Sequence, residues 1–326
     1  MPGSGTGTFI DADDYEASLS RLRFDLLVTS QGGFKAQLTW ATFDSLHLMH
    51  GEEDLPHIAY VSLDPSLLFV ALAQRPDPPM LWGGLELQPD EIIFHSRGER
   101  FHQRTTGPCS WSLLALIPEH LERYYEALSG KPLSVPARAR ILRPATRDTA
   151  RLRRLHAQAC RLAETRPKVL AHREVARAIE QGLIHALVTC LAAKARDGGA
   201  ARGHHTGMML RFEEVLADHP NRPLPMPELC ELIGVTERTL RSCCAEFLGL
   251  SPSRYMLLRR LKAVRIALRD ADPAAASVAE IAGRCGFTEL GRFAGAYRTA
   301  FGEAPSTTLR RTRGPRTLDR IFADSA

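Results

Sequence analysis

Arg238, Arg241, Ser242 and Arg292 are the side chains of this sequence best suited to reading another molecule by hydrogen bonds. An arginine can donate two parallel bonds to guanine O6 and N7, and a serine hydroxyl suits either kind of base pair. Their spacing supports that chemistry. Arg238, Arg241, Ser242 and Ala245 fall on one side of a helix whose other side carries Leu240, Cys243, Cys244 and Phe247, a helical period. Arg292 falls with Glu289, Gly295 and Thr299, opposite Leu290, Phe293, Tyr297 and Phe301. A second set, the cations Arg259, Arg260, Lys262, Arg298, Arg310 and Arg311 with the hydroxyls of Thr236 and Thr288, suits phosphate oxygens, which position a nucleic acid without reading it.

Two copies of one local pattern position these residues. Gly234-Val235-Thr236-Glu237 recurs 52 residues on as Gly286-Phe287-Thr288-Glu289, and Gly249 and Pro252 recur 53 residues on as Gly302 and Pro305. Each copy reads as a short helix, a glycine turn at positive φ, an apolar plug (Val235 or Phe287), a threonine cap and a longer helix. That is a helix-turn-helix. One such hairpin occurs in ordinary bundles, whereas two matched copies argue for DNA. Residues 208–218 and 227–233 predict helices ahead of the first longer one. Between the copies, Ser251-Pro252 predicts a capped helix running to about Asp270, with Leu257, Leu261, Val264 and Leu268 on its buried side. Nineteen residues span about 28 Å at ~1.5 Å each, close to the ~34 Å turn of B-DNA.

The stretches Ser251-Pro-Ser-Arg-Tyr-Met-Leu-Leu-Arg-Arg-Leu261, Ser277-Val-Ala-Glu-Ile-Ala and Phe301-Gly-Glu-Ala-Pro305 resemble the AraC/XylS transcription regulators, over roughly residues 208–311. Glu289-Leu-Gly-Arg-Phe and Pro305-Ser-Thr-Thr-Leu-Arg310 are similar to the subgroup containing the ethanolamine-responsive regulators. The resemblance implies double-stranded promoter DNA as a partner, base readers at Arg238, Arg241, Ser242 and Arg292, and a cupin-like domain for a small-molecule effector ahead of the reader. RNA polymerase and a second copy of the chain are further partners it admits. Gly291 and Gly295 depart from the longer polar residues the family commonly carries there.

Charge placement agrees with a phosphate-bearing partner. Between Arg238 and Arg320 there are 16 Lys and Arg against 7 Asp and Glu, whereas the rest of the chain holds 26 against 30. The net +5 of the chain is thus concentrated where the repeat lies. At 44% apolar and 24% charged over 326 residues, the chain has the composition of a globular protein of two or three domains. Its start lacks a basic and apolar leader, and no apolar run reaches membrane-spanning length, so a cytoplasmic protein without a membrane partner is expected.

Before the repeat the pattern changes. Residues 1–20 read as poorly ordered. From about Phe24 to Ile117 the runs are short and strand-like, as in Phe34-Lys-Ala-Gln-Leu-Thr-Trp40, residues 67–73 and residues 113–117, with turns at residues 75–79, 88–90 and 96–99. This predicts a mostly-β sandwich or small barrel. Trp40, Phe69, Trp82, Phe94, His95 and Trp111 are candidates for lining an effector pocket there, each with core packing as its plainer role. His47, His50, His57, His95 and His102 raise a metal site, but the His-x-His run with a following Glu is absent, so neither metal nor cofactor is predicted. The seven cysteines, Cys243-Cys244 included, fit reduced core thiols. Helices are predicted at residues 118–128, 146–165 and 171–196. The last carries Val175, Ile179, Leu183, Ala186, Leu187 and Leu191 along one stripe, for a dimer interface or for packing on the β domain. Residues 197–206 read as a Gly/His linker.

The sequence therefore predicts an α+β chain. A mostly-β effector domain occupies residues 1–145, a helical connector 146–196, a linker 197–206, and an all-α domain with two helix-turn-helix units 207–326. The function read from it is an effector-controlled, sequence-specific transcription regulator with no catalytic residues. The alternatives are a cupin-type metalloenzyme fused to a DNA anchor and an architectural DNA-binding protein without a ligand.

Overall fold

The computed structural model describes residues 3–19, 22–72, 79–194 and 200–311, and side chains from residue 205 in the last of these. Strand β1 (Gly3–Phe9) and helix α1 (Ala12–Ser18) open the chain. β2 (Leu22–Val28), β3 (Ala36–Thr42), β4 (Leu46–Glu53), β5 (His57–Leu63) and β6 (Leu68–Leu72) follow. Then come β7 (Leu81–Trp82), β8 (Leu85–Glu86), β9 (Ile92–Phe94), β10 (Arg100–Arg104) and β11 (Cys109–Leu116). They form two antiparallel sheets, with β12 (Arg140–Leu142) closing the larger: a seven-stranded one in the order β1-β3-β4-β11-β6-β9-β12 and a five-stranded one in the order β2-β5-β10-β7-β8. β11 lies in the middle of the larger sheet and is buried on both faces, which is why its sequence is nearly all apolar rather than alternating. Trp111, Leu113 and Ala115 face the space between the sheets, whereas Leu114 and Leu116 face the helices behind.

The first segment corrects the expectation of disorder. β1 pairs with β3 from Gly3 opposite Thr42 to Phe9 opposite Ala36. Gly5 serves packing: a Cβ there would lie 2.7 Å from the Trp40 ring, so only glycine lets the indole lie across the strand. Asp11 then caps α1, accepting from the backbone N–H of Asp13 at 2.9 Å.

Helix α2 (Pro118–Ser129) begins at its proline, as predicted. Helices α3 (Thr146–Thr165), α4 (Pro167–Leu170) and α5 (Arg173–Leu191) replace the two expected connector helices. Leu152, Ala159, Leu183 and Leu187 pack against Leu46, Leu48 and Leu114 of the larger sheet. Of the two roles weighed for the α5 stripe, it therefore takes packing on the sheet. Val175 and Ile179 are only partly buried.

The linker expectation is also corrected. Helix α6 (Ala200–Asp218) already begins within it, as its Ala, Arg, Met and Leu residues allow despite Gly203 and Gly207. Residues 197–199, residues 75–78 of one expected turn and residues 312–326 of the expected all-α domain lie outside the described residues. Helices α7 (Met226–Ile233), α8 (Glu237–Leu248), α9 (Pro252–Asp270), α10 (Val278–Arg284), α11 (Leu290–Phe301) and α12 (Pro305–Arg310) complete the fold. α9 is their spine. Its N-terminal half packs with α6 to α8 around Phe212, Leu240 and Phe247, and its C-terminal half with α10 to α12 around Val264, Phe293 and Tyr297. Leu257, expected on its buried side, is half-buried, and Tyr255 and Leu258 take that side in the first half. Among the described residues no helix is long and apolar enough to cross a membrane.

Candidate nucleic-acid interface

In the first unit the local chemistry works as the spacing predicts. Gly234 ends α7 at φ 76°, and the N–H of Val235 turns back to the Cys230 carbonyl at 3.0 Å. Thr236 caps α8 by accepting from Thr239 N–H at 3.2 Å. Leu240, Cys243, Cys244 and Phe247 are buried, so Arg238, Arg241, Ser242 and Ala245 are left exposed. Arg241 is held by Glu237 one turn back at 2.5 Å. Such an exposed pair is weak and costs little to exchange for a ligand. All seven cysteines are free and buried, and burial pushes the thiols of Cys243 and Cys244 up, away from the thiolate a redox sensor needs.

The second unit departs from the copy. Gly286 makes the turn at φ 78°, and a Cβ there would meet the Asn221 carbonyl oxygen at 2.8 Å, so both backbone and space require glycine. Thr288, however, does not cap α11. The helix starts at Leu290 with Glu289 as its N-cap and no side-chain cap bond. Gly291 in the first turn weakens helix there by about 1 kcal/mol relative to Ala. With this late start, Leu290 moves from the expected inner face to the surface, at 44% exposure, while Phe293 and Tyr297 stay buried and Phe301 half-buried. Arg292 is exposed and pairs with Glu289 at 3.0 Å. A Cβ on Gly291 or Gly295 would meet nothing within 4 Å, so neither glycine is there for tight packing on another helix.

The cations assigned to phosphate divide into two groups. Arg298, Arg310 and Arg311 are exposed, Arg311 pairing with Glu303 at 3.0 Å. Arg260 lies over the Phe287 ring at 4.9 Å. Arg259 and Lys262 are committed elsewhere, a correction to their reading as phosphate contacts in this conformation. Arg259 pairs with buried Glu213, which also accepts from His102 at 2.8 Å and Tyr255 at 2.6 Å. Lys262, 8% exposed at its side chain, bridges Glu16 at 2.5 Å and Asp25 of the β domain. Burial alone would raise the Asp25 carboxyl, but Lys262 and Arg259 hold it below the ordinary range. Burial likewise pulls the Lys262 ammonium down, and Asp25 and Glu16 overcome it, so its pKa ends raised.

Sequence reasoning missed the rest of this clamp. Arg265 reaches Asp11 at 2.7 Å, and Arg269 reaches Asp11 at 2.5 Å and Asp13 at 2.8 Å. The available signal was the spacing of Lys262, Arg265 and Arg269 on one face of α9, facing an acidic run at residues 11–16.

Five of the six aromatic pocket candidates lie in or against one core, and Phe94 is apart from them. Phe69, Trp82 and Trp111 lie in the core between the sheets, with Trp40 packed against it, and Trp82 and His95 stack around Phe101. Phe94 points to the opposite face of its sheet, into the helical core, because successive strand residues alternate. None of the six lines the cavity of about 860 Å³ that opens between the β domain and α6 and α9. Leu22, Phe24, Leu224 and Met256 supply its apolar wall, and Arg23 and Arg222 are among its cations.

Two units strung on α9, each with an exposed second helix, define a double helix-turn-helix domain. A family model described as a helix-turn-helix domain matches residues 229–311. Over 104 residues the chain is 39% identical to the probable thc operon regulatory protein of Rhodococcus erythropolis, a match covering 32% of this chain and 31% of that protein. It is 36% identical over 103 residues to the XylDLEGF operon transcriptional activator of Pseudomonas putida, covering 32% of each. Among solved structures, a probable AraC family transcriptional regulator from Rhodopseudomonas palustris is 33% identical, the match covering 33% of this chain and 98% of that one with a TM-score of 0.30. The chain spans about a third of the length of these two curated relatives. Over this C-terminal domain the chain is similar to these transcription regulators.

Proposed function

We propose that the protein is a sequence-specific DNA-binding regulator of transcription, with α6 to α12 as the reader and the sheets with α2 to α5 as the effector-binding part. The observation that carries this reading is the exposed face of α8, where Arg238, Arg241 and Ser242 stand together over a fully buried inner face. Arg238, Arg241, Ser242 and Arg292 are the base readers, and Thr236, Thr288, Arg260, Arg298, Arg310 and Arg311 the phosphate contacts. The effector occupies the cavity between the two parts. Its volume of about 860 Å³ lies within the ~300–1,000 Å³ of small-molecule sites. Its apolar wall and arginines suit an apolar acid. The test is binding of the full chain to promoter fragments against excess non-specific competitor DNA, with and without aliphatic and aromatic carboxylates. The reading requires one fragment to survive competition and its affinity to change with a carboxylate but not with the matching amide. Equal loss of all fragments to competitor would favour the architectural alternative.

A further inference from the structure

We propose that Glu53, His57 and Cys109 form a binding site for a zinc-class divalent ion between the two sheets. Their ligand atoms lie within 4.8 Å of one another. All three are buried, at 3%, 0% and 7% exposure. Glu53 ends β4, and Cys109 starts β11 directly opposite it in the larger sheet, while His57 starts β5 of the smaller one. Three strands thus contribute one ligand each, and an ion here would clip the two sheets together. No sequence motif announces such a set, which is why the missing His-x-His run said nothing about it.

The states of His57 and Glu53 fit, while burial and the Glu53 charge push the Cys109 thiol up, so the ion itself has to displace its proton. The Nδ1 of His57 is 3.0 Å from the Leu55 carbonyl. A carbonyl only accepts, so Nδ1 carries the hydrogen and Nε2 is left with a bare lone pair. That Nε2 is buried and has no hydrogen-bond partner. A backbone carbonyl fixing the far ring nitrogen is the usual support of a metal-ligating histidine. Glu53 is held in the same way. One carboxylate oxygen accepts from the Trp111 indole N–H at 2.6 Å and from the Tyr15 hydroxyl, and the other is 3.1 Å from Cys109 Sγ. Binding would replace the thiol hydrogen bond to Glu53 by bonds from sulfur and oxygen to the ion, with the thiol proton released to solvent. A purely structural carboxylate knot accounts for Glu53 and Cys109 but leaves the buried, unpaired Nε2 of His57 without a role. Imidazole, thiolate and carboxylate together select zinc or cobalt over magnesium or calcium, and three ligands leave a fourth position open. A cavity of about 540 Å³ lined by Glu53 and Cys109 gives access. The site reaches the reader through the next residue, since Ile58 packs in the core that holds α6 and α8.

The test uses the full chain, stripped with chelator and titrated with Co2+, then displaced with Zn2+. The site predicts one equivalent of bound Co2+ with a thiolate charge-transfer band and the intense visible bands of a four-coordinate ion. Cys109→Ser should lose the charge-transfer band, and His57→Ala should weaken binding at least tenfold. A wild-type chain that binds no stoichiometric Co2+, or binds it without a thiolate band, overturns the proposal whether or not the variants fold. Persistence of the band in a folded Cys109→Ser variant overturns it as well.

Discussion

At the scale of single residues, the reading face and the buried titratable groups make separate predictions. Arg238 and Arg241 project from the same face of α8, and among the described residues their one ion pair is the exposed contact of Arg241 with Glu237. Arg238→Ala or Arg241→Ala should leave the melting temperature nearly unchanged while weakening specific DNA binding by ~1–3 kcal/mol and relaxing preference at one or two base pairs. Binding curves on the preferred site and on its single-base variants check this, and uniform weakening on every sequence would move the residue to the phosphate contacts. His156 on α3 is buried, with Nδ1 3.7 Å from Cys160 Sγ. Burial, and then the charge of His50, push its pKa down to about 3. The folded value lies below the unfolded one of ~6.5, so the folded chain binds fewer protons. The stability owed to neutral His156 is therefore present above pH ~6.5 and lost as pH falls toward about 3. Wild-type stability should fall by up to about 1.4 kcal/mol per pH unit across this window through His156 alone. Denaturant midpoints of His156→Gln should show a flatter acid limb, and identical limbs would contradict the assignment.

At the scale of elements, α9 has two tasks that compete for its charge. One side carries the cores of both helix-turn-helix units, and the other clamps α1 and β2 through Lys262, Arg265 and Arg269. Removing Lys262 would leave half-buried Glu16 without its cation and Asp25 with only the longer contact to Arg259 at 3.9 Å. Lys262→Ala should therefore destabilise by roughly 3 kcal/mol, the cost of breaking a buried pair, and adding Asp25→Asn should restore part of it. Denaturant unfolding of the two variants checks this, and equal stability of Lys262→Ala and wild type would show the clamp to be inert. The elements also show what the sequence made legible. Signals carried within a few residues held: the Ser251-Pro252 start of α9, the Gly234 end of α7 and the buried stripe of α8. Signals that depend on distant partners did not. The order of β1 comes from Trp40 and β3, and the burial of Lys262 from carboxylates more than 200 residues away; the Thr288 cap is the local exception, lost where α11 starts late beside Gly291. Which sheet face each aromatic pocket candidate meets was not legible for the same reason, because a list of aromatics carries no register.

At the scale of the whole molecule, the reader and the β domain are joined by three kinds of contact. Leu27 and Ile58 enter the core of the first unit, Arg100 pairs with Glu214 at 2.6 Å, and the acidic clamp holds α9. The proposed effector cavity lies along this seam, so a bound ligand touches the same helix that spaces the two reading units. Those units are unequal. α8 presents Arg238, Arg241 and Ser242, whereas the matching face of α11 presents Gly291, Arg292 and Gly295, open to solvent and without side chains at two of three positions. The most direct measurement is selection of binding sites by the full chain from a random DNA library, at a stated salt concentration. Sequence-specific reading by two unequal units predicts one enriched motif with two half-sites about one helical turn, ~10 bp, apart. One half should be sharply specified and lost in Arg238→Ala, and the other tolerant of substitution. No enriched motif, or two halves of equal information that both survive Arg238→Ala, would contradict it.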